Sequence, residues 1–276
     1  MFSRLLVPVF AAFALSSSAP AHAAWGDHLA TGAQWLADIT PAHNVYASPS
    51  EVAYVGGTLT VNAVCGGFAS ELMKASYPDL TDDVMSALMD DDPDDEHNWN
   101  SPDSEHWYNA IVDEVSTTSD GLSFGLEHIT HIDDVEEGDL LVSVYTSAGT
   151  SGHTMVIYDM PTTYSLVYTS IPGYGSTTKV ERYRVTVLDS TSSVHLNRSD
   201  STDSRYMKDV DPNDATKKVN DEGMGTGELY IYADHATGAL VGWTWNVVQG
   251  TAYQATDSTA TNYRPFAVGR LTGTGL

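Results

Sequence analysis

Residues 61–74 read Val61-Asn62-Ala63-Val64-Cys65-Gly66-Gly67-Phe68-Ala69-Ser70-Glu71-Leu72-Met73-Lys74 and contain the only cysteine of the chain. Apolar residues recur after the cysteine at helical spacing, as at Phe68 and Leu72, and Pro78 follows. This pattern predicts a core-facing helix from Gly66 to Ser76 that ends before the proline. The cysteine therefore stands at the start of a buried helix.

That position favours a nucleophilic thiol, because a helix N-terminus and a neighbouring imidazolium both lower the pKa of a cysteine. A suitable base is His153, which opens the apolar, strand-like run Gly152-His153-Thr154-Met155-Val156-Ile157-Tyr158-Asp159. We predict that His153 pairs with Cys65. The competing interpretation is that Cys65 is a small, buried and inert apolar residue, as free cysteines often are.

A cysteine–histidine pair needs a third polar group that holds the imidazole in the right orientation. Asp189 is the predicted orienting residue, since it directly follows the predicted strand 183–188, and His195 is the alternative. The backbone amide of Cys65, at the helix start, is predicted to hold the oxyanion.

The first residues have the pattern of a secretory signal peptide, residues 1–23, with an apolar stretch and an Ala21-His22-Ala23 cleavage site. We therefore expect a secreted or periplasmic protein of residues 24–276 that keeps no membrane anchor after cleavage. One cysteine cannot form an internal disulfide, although export to an oxidising compartment would normally favour disulfides.

The chain carries 37 Asp plus Glu against 12 Lys plus Arg, a net charge of −25. Binding to nucleic acid or anionic lipid is excluded as a main function, because both need a basic surface. No P-loop, dinucleotide fingerprint, Gly-x-Ser-x-Gly elbow or His-Glu-x-x-His helix occurs, so we predict neither cofactor nor metal. We also expect a monomer. Metal binding at Glu127–His131 and calcium binding by the acidic run are the weaker alternatives.

Helical patterns come first and strand patterns follow from about residue 139, which predicts an α+β fold with an antiparallel sheet. We expect one domain that carries an acidic insertion at about 90–105 and a polar excursion at about 190–227. Trp243 and Trp245 are predicted to share one face of a strand, either as core filling or as a platform for sugar rings.

Three segments together resemble the papain-like cell-wall hydrolases known as the NlpC and CHAP families. They are Val64-Cys65-Gly66-Gly67-Phe68, then Glu137-Gly138-Asp139-Leu140-Leu141, then the run that begins at Gly152-His153. The resemblance spans roughly residues 44–189, and Val64 stands where these families have Asp or Asn.

The resemblance implies a papain-like fold, with N-terminal helices packed on an antiparallel sheet or partial barrel. It also implies a Cys65–His153–Asp189 triad that cleaves an amide, such as one in a peptidoglycan stem peptide. Enzymes of these families often place an upstream tyrosine near the oxyanion, which implies Tyr46, or else Tyr54, for that role; a buried core role is open for either tyrosine. The alternative hypothesis is a catalytically inactive binding or structural module of the same fold, in which Trp243, Trp245 and the acidic run carry recognition.

Overall fold

The computed structural model describes residues 27–89, 102–145, 152–168, 171, 179–195, 203–205, 209–211, 214–219, 222–249, 252–255, 258–259, 261–274 and 276. The predicted signal peptide and residues 90–101 of the acidic insertion lie outside the described residues. The described helices are α1 (Asp27–Asp38), α2 (Cys65–Ser76), α3 (Asp82–Met89) and α4 (Ser104–Val112).

Most described strands belong to one ten-stranded antiparallel sheet, in the order β14-β13-β12-β9-β7-β6-β15-β5-β4, with β8 paired to β9. Its strands are β4 (Ser116–Ser119), β5 (Leu122–Ile129), β6 (Leu140–Val144), β7 (Gly152–Asp159), β8 (Ser165–Tyr168), β9 (Lys179–Thr191), β12 (Gly223–Asp234), β13 (Leu240–Trp243), β14 (Tyr253–Gln254) and β15 (Phe266–Gly273). The strands β14 and β4 end this order, so the described sheet is open and does not close into a barrel.

Two small sheets complete the described fold. The first has the order β1-β3-β2 and contains β1 (Asn44–Val45), β2 (Glu51–Val55) and β3 (Thr58–Asn62). The second is the antiparallel pair of β10 (Asp209–Asp211) and β11 (Asp214–Val219). The first matters for function, because β3 leads directly into α2 and the chain just after β1 approaches the same place.

Helix α2 packs on the centre of the large sheet, because its apolar stripe faces the strands β7 and β9. Phe68 and Leu72 of the helix belong to one buried cluster with Val156 of β7 and Leu188 of β9. Each buried apolar side chain of this size contributes about 1.5–3 kcal/mol to folding. This packing fixes the N-terminus of α2 against the two strands that carry His153 and Asp189.

The predicted α+β class with an antiparallel sheet is confirmed, and several boundaries differ from the prediction. Strand β9 continues to Thr191, so Asp189 lies inside the strand rather than just beyond its end. The predicted polar excursion therefore contains the end of β9, the pair β10–β11 and the start of β12. Ser104 and Glu105, assigned to the acidic insertion, begin α4, a helix that the sequence prediction missed.

The prediction that Trp243 and Trp245 share a strand face is wrong, since β13 ends at Trp243. Trp243 is fully buried in the core, where it packs near Tyr253 with ring centroids 5.0 Å apart. Trp245 lies beyond the strand end and faces the cleft described below. In the part of the chain that the structure describes, no helix has the length and apolar character needed to cross a membrane.

Candidate active site

Cys65 is the first residue of α2, and the preceding residue, Val64, supplies no side-chain cap to the helix. The thiol is free and 6 % exposed, at the floor of a cleft of about 630 Å³. An uncapped helix N-terminus leaves backbone N–H groups that attract negative charge. A thiolate and an oxyanion are both favoured at this place.

Gly66 lets the start of α4 approach the cysteine closely. A Cβ at position 66 would lie 2.2 Å from the carbonyl oxygen of Pro102. The close contact brings Ser104 to Cys65, with 3.6 Å between Oγ and Sγ. Thr154 donates a hydrogen bond to the same Oγ at 3.0 Å, which leaves the Ser104 hydroxyl proton to point at the sulfur. The glycine serves this contact between the two helices.

His153 reaches the thiol from β7, where it is paired with Ser143 of β6. Gly152 begins the strand with φ +138°, and a Cβ there would lie 1.9 Å from the Ser143 carbonyl oxygen. Only glycine fits such a backbone, and it sets the position of the histidine that follows. The His153 ring lies beside the Cys65 thiol, where each group shifts the pKa of the other.

Asp189 holds the opposite side of the His153 ring. The Nε2 of His153 donates to Oδ2 of Asp189 at 2.5 Å, and both side chains are buried. Because Nε2 is occupied, Nδ1 is the ring nitrogen that faces Cys65. The structure thus brings the predicted residues Cys65, His153 and Asp189 together in that order.

The alternative third residue, His195, lies behind Asp189 rather than beside His153. Its Nε2 is 2.8 Å from the same Oδ2, while the His153 and His195 ring centroids are 6.0 Å apart. The Nδ1 of His195 is 2.7 Å from the carbonyl oxygen of Trp245, and the two rings stack at 4.1 Å. The Trp245 ring also meets the edge of His153 at 4.9 Å, and so it covers both imidazoles.

Arg205 holds the second oxygen of Asp189. Its Nη1 donates to Oδ1 of Asp189 at 2.8 Å and to the carbonyl oxygen of Gly223 at 3.1 Å. Asp203 in turn accepts from Nε and Nη2 of Arg205, each at 3.0 Å, and from the backbone N–H of His195 at 2.8 Å. Every charged group here is fully or almost fully buried, and each has a partner of opposite charge.

These contacts shift the protonation of the site strongly. Burial raises the pKa of the Cys65 thiol, but the charge of His153 and hydrogen bonds from His153, Ser104 and the Thr154 backbone outweigh it and lower the pKa to about 7. Burial lowers the pKa of His153, but the charge of Cys65 and the hydrogen bond to Asp189 raise it to about 9. A thiolate–imidazolium pair is therefore favoured near neutral pH.

The carboxyl of Asp189 is ionised for the same reason. Burial raises its pKa, but the charges of Arg205 and His195 and the hydrogen bond from His153 hold the pKa well below its usual range. A permanently charged carboxylate beside Nε2 fixes the tautomer of His153 and stabilises its protonated form.

Of the two tyrosine candidates, only Tyr46 lines the cleft. Its hydroxyl lies near the thiol, and burial and the charge of Cys65 raise the pKa of Tyr46 above the usual range. Tyr54 is half exposed on β2 and donates to Asp38 at 2.5 Å, away from the cysteine. Tyr145, which the sequence did not single out, is a second cleft tyrosine. The residues that line the cleft come from α2, α4 and strand ends: Tyr46, Val64, Cys65, Gly66, Asp103, Ser104, Tyr145, Gly152, His153, Thr191, Ser192, Ser193 and Trp245.

His153, Asp189 and His195 also place ligand-type atoms within 4.8 Å of one another, as a metal site would. Two features favour protons over a metal ion as the bridge. Both imidazoles lie at hydrogen-bond distance from one carboxylate oxygen, and the Arg205 guanidinium on the other oxygen would repel a cation. Elsewhere in the described ranges no such group occurs, which leaves Glu127–His131 without the ligand cluster of a metal site. The acidic run at 90–101 lies outside them.

Ser104, Thr154, Arg205 and Asp203 were missed by the sequence analysis. A signal for Ser104 was present in the sequence, because Asp103 directly before it is a residue type that favours the N-cap of a helix. In the structure Asp103 is the N-cap of α4 and accepts from the backbone N–H groups of Glu105 and His106. Arg205 had none, since it lies in a polar segment without a hydrophobic period.

Comparisons with protein-family models, with curated proteins and with solved structures found no match to this chain. The resemblance to the NlpC and CHAP families therefore stays a prediction.

Proposed function

We propose that this chain is a papain-like cysteine hydrolase that cleaves an amide bond. The observation that carries the proposal is the continuous buried path from Cys65 through His153 to Asp189 at the floor of a cleft. A merely structural cysteine needs neither a hydrogen-bonded imidazole nor an ionised carboxylate behind it. Perturbed groups of this kind in a cleft are typical of catalytic sites.

In the first step the Cys65 thiolate attacks the carbonyl carbon and forms a tetrahedral intermediate. Backbone N–H groups at the start of α2 and the Tyr46 hydroxyl stabilise the negative oxygen. His153 then gives its Nδ1 proton to the leaving nitrogen, the C–N bond breaks, and a thioester remains on Cys65.

In the second step a water molecule attacks the thioester while His153 accepts one of its protons. The C–S bond breaks, the carboxylic acid product leaves, and the thiolate–imidazolium pair is restored. Asp189 does not exchange a proton during the cycle. It keeps the His153 ring aimed at the sulfur and stabilises the charge of the imidazolium.

The cleft suits an amide with a neutral or cationic group near the scissile bond. Its volume of about 630 Å³ is that of a small-molecule or short-peptide site. No Lys or Arg is among the described residues that line it, and Asp103 is the acidic residue there. By resemblance the substrate is a peptidoglycan stem peptide or a related amide, which an exported monomer would meet in the cell envelope.

Mass spectrometry of the intact protein tests the proposal. Purified protein without residues 1–23 is mixed with soluble stem peptides and with a panel of peptide amides, then quenched in acid. We expect a mass increase equal to the acyl part of the substrate, removable by neutral hydroxylamine and absent in Cys65→Ala. In turnover assays His153→Ala should lower kcat/KM by about 10²–10⁴-fold, the usual contribution of a general acid–base group.

Two results would overturn the proposal. One is turnover of any amide by Cys65→Ala at the wild-type rate. The other is a folded wild-type protein with a reactive thiol that no amide of either set acylates, which would favour the binding-module alternative.

A further inference from the structure

We infer that His195 is a positioning residue that acts, together with Arg205, as a buried cation on Asp189 and so fixes that carboxylate against His153. The inference rests on the proposed function for its catalytic meaning. Its physical content, the protonation of His195 and the effect on the thiol, can be measured without any substrate.

Both ring nitrogens of His195 face hydrogen-bond acceptors. Its Nε2 lies 2.8 Å from a carboxylate oxygen of Asp189, and its Nδ1 lies 2.7 Å from the carbonyl oxygen of Trp245. Both partners can only accept, because a carbonyl and an ionised carboxylate have no proton to give. Both hydrogen bonds are made only when both ring nitrogens carry protons.

Buried charged side chains surround the His195 ring. Asp189 of β9 and Asp203 face His195, and Arg205 lies against both carboxylates. His153 faces Asp189 from the other side. With Cys65 as thiolate and His153 as imidazolium, these buried groups sum to zero net charge only when His195 is positive. A buried cluster with compensated charges costs far less free energy than one with an unpaired charge.

Hydrogen bonds hold both oxygens of the Asp189 carboxylate. Oδ2 of Asp189 accepts from both imidazoles, while Oδ1 accepts from Arg205. The carboxylate is thus held on three sides and cannot rotate away from His153 without breaking a charge-assisted hydrogen bond. Trp245 stacks on His195 and closes the site from the cleft side, so water has no easy access to these bonds.

The experiment is nuclear magnetic resonance of the wild-type protein with ¹⁵N-labelled histidine at pH 7.5. We expect protons on both ring nitrogens of His195. The signals are assigned by their loss in His195→Gln or, if that variant does not fold, by proximity contacts to the Trp245 ring. A single protonated nitrogen on His195 would overturn the inference.

A second readout separates positioning from plain stability. In His195→Gln the pH inflection of Cys65 alkylation should move up by about half a unit to one unit, because a buried cation near the thiolate is lost. The matched control is His28→Gln, the same change at another fully buried histidine, which bonds Tyr77 and the carbonyl of Gly138. It should leave the inflection unchanged.

An unmoved inflection in folded His195→Gln would also contradict the inference. Neither measurement uses an amide, so failure of the proposed function would appear separately. In that case His195 would carry both protons and shift the thiol, while no acyl-enzyme formed.

Discussion

At the scale of single residues, the state of Cys65 is decided by two opposing effects. Burial disfavours the thiolate, while the imidazolium of His153 and donors from Ser104 and Thr154 favour it. The effects that favour the thiolate outweigh burial, so the pKa of the thiol, about 7, falls below that of His153, about 9. Between these pH values the pair exists mainly as thiolate and imidazolium, the form that the proposed mechanism requires.

Single residues were predictable where chemistry and local pattern coincide. Cys65 starts a helix pattern, His153 follows a glycine at a strand start, and Asp189 lies near a strand end. The groups behind them were not predictable, because Arg205 reaches Asp189 only through the folded path of a polar segment. The choice between Asp189 and His195 also needed three dimensions, because Asp189 bonds the His153 ring directly, whereas His195 bonds the same oxygen of Asp189 from behind.

At the scale of elements, the contact between α2 and α4 decides where Ser104 stands. A side chain at Gly66 would collide with the backbone at Pro102, and no flexible group there can yield. The Gly66 carbonyl also accepts from the indole of Trp107 at 3.3 Å, which fastens α4 to α2. The spacing of the two helices is therefore part of the site.

The substitution Gly66→Ala tests this contact. Alanine in a helix normally stabilises by about 0.5–1 kcal/mol relative to glycine. Here we expect a loss of about 1–3 kcal/mol from overpacking, measured by urea unfolding, because α4 must move away. The thiol inflection should also rise as Ser104 leaves the sulfur. A stabilised variant with an unchanged inflection would contradict the close approach.

Elements were predictable where the hydrophobic period was clean. The antiparallel pair β6–β7 and the helix α2 follow their patterns closely. Helix α4 was missed because its N-cap, Asp103, comes directly after an acidic run that resembles a solvated loop. The end of β9 and the start of β12 were missed because small and polar residues pair there across a fully formed ladder, as Thr191 does with Gly223.

At the scale of the whole molecule, α1 is joined to the body by a buried histidine. His28 lies close to the Tyr77 hydroxyl, at 2.8 Å, and to the Gly138 carbonyl oxygen, at 2.9 Å. Burial lowers its pKa to about 4, against the opposing effects of Gly138 and Asp27. The neutral ring therefore connects α1 with the end of α2 and the turn before β6.

This pKa predicts a pH-dependent stability. The unfolded chain binds the His28 proton at its ordinary pKa of about 6.5, so the stabilisation is complete above that pH and declines as the pH falls toward 4. At pH 5 the loss should be about 2 kcal/mol. Urea unfolding of the wild type and of His28→Gln at pH 8 and pH 5 gives the free energy of unfolding of each protein. The wild type should lose about 2 kcal/mol more than the variant between the two pH values. Equal pH responses of the two proteins would refute this role.

The central claim is that Cys65 and His153 form an ion pair, and the rate of iodoacetamide alkylation from pH 5 to 10 tests it most directly. The wild type should show an inflection near pH 7. In His153→Ala the inflection should rise above about 8.5, the value of a free cysteine, because burial then acts unopposed. His235→Ala, at an exposed histidine paired with Glu181, is the control and should behave as wild type. A profile that is the same in all three proteins would contradict the account.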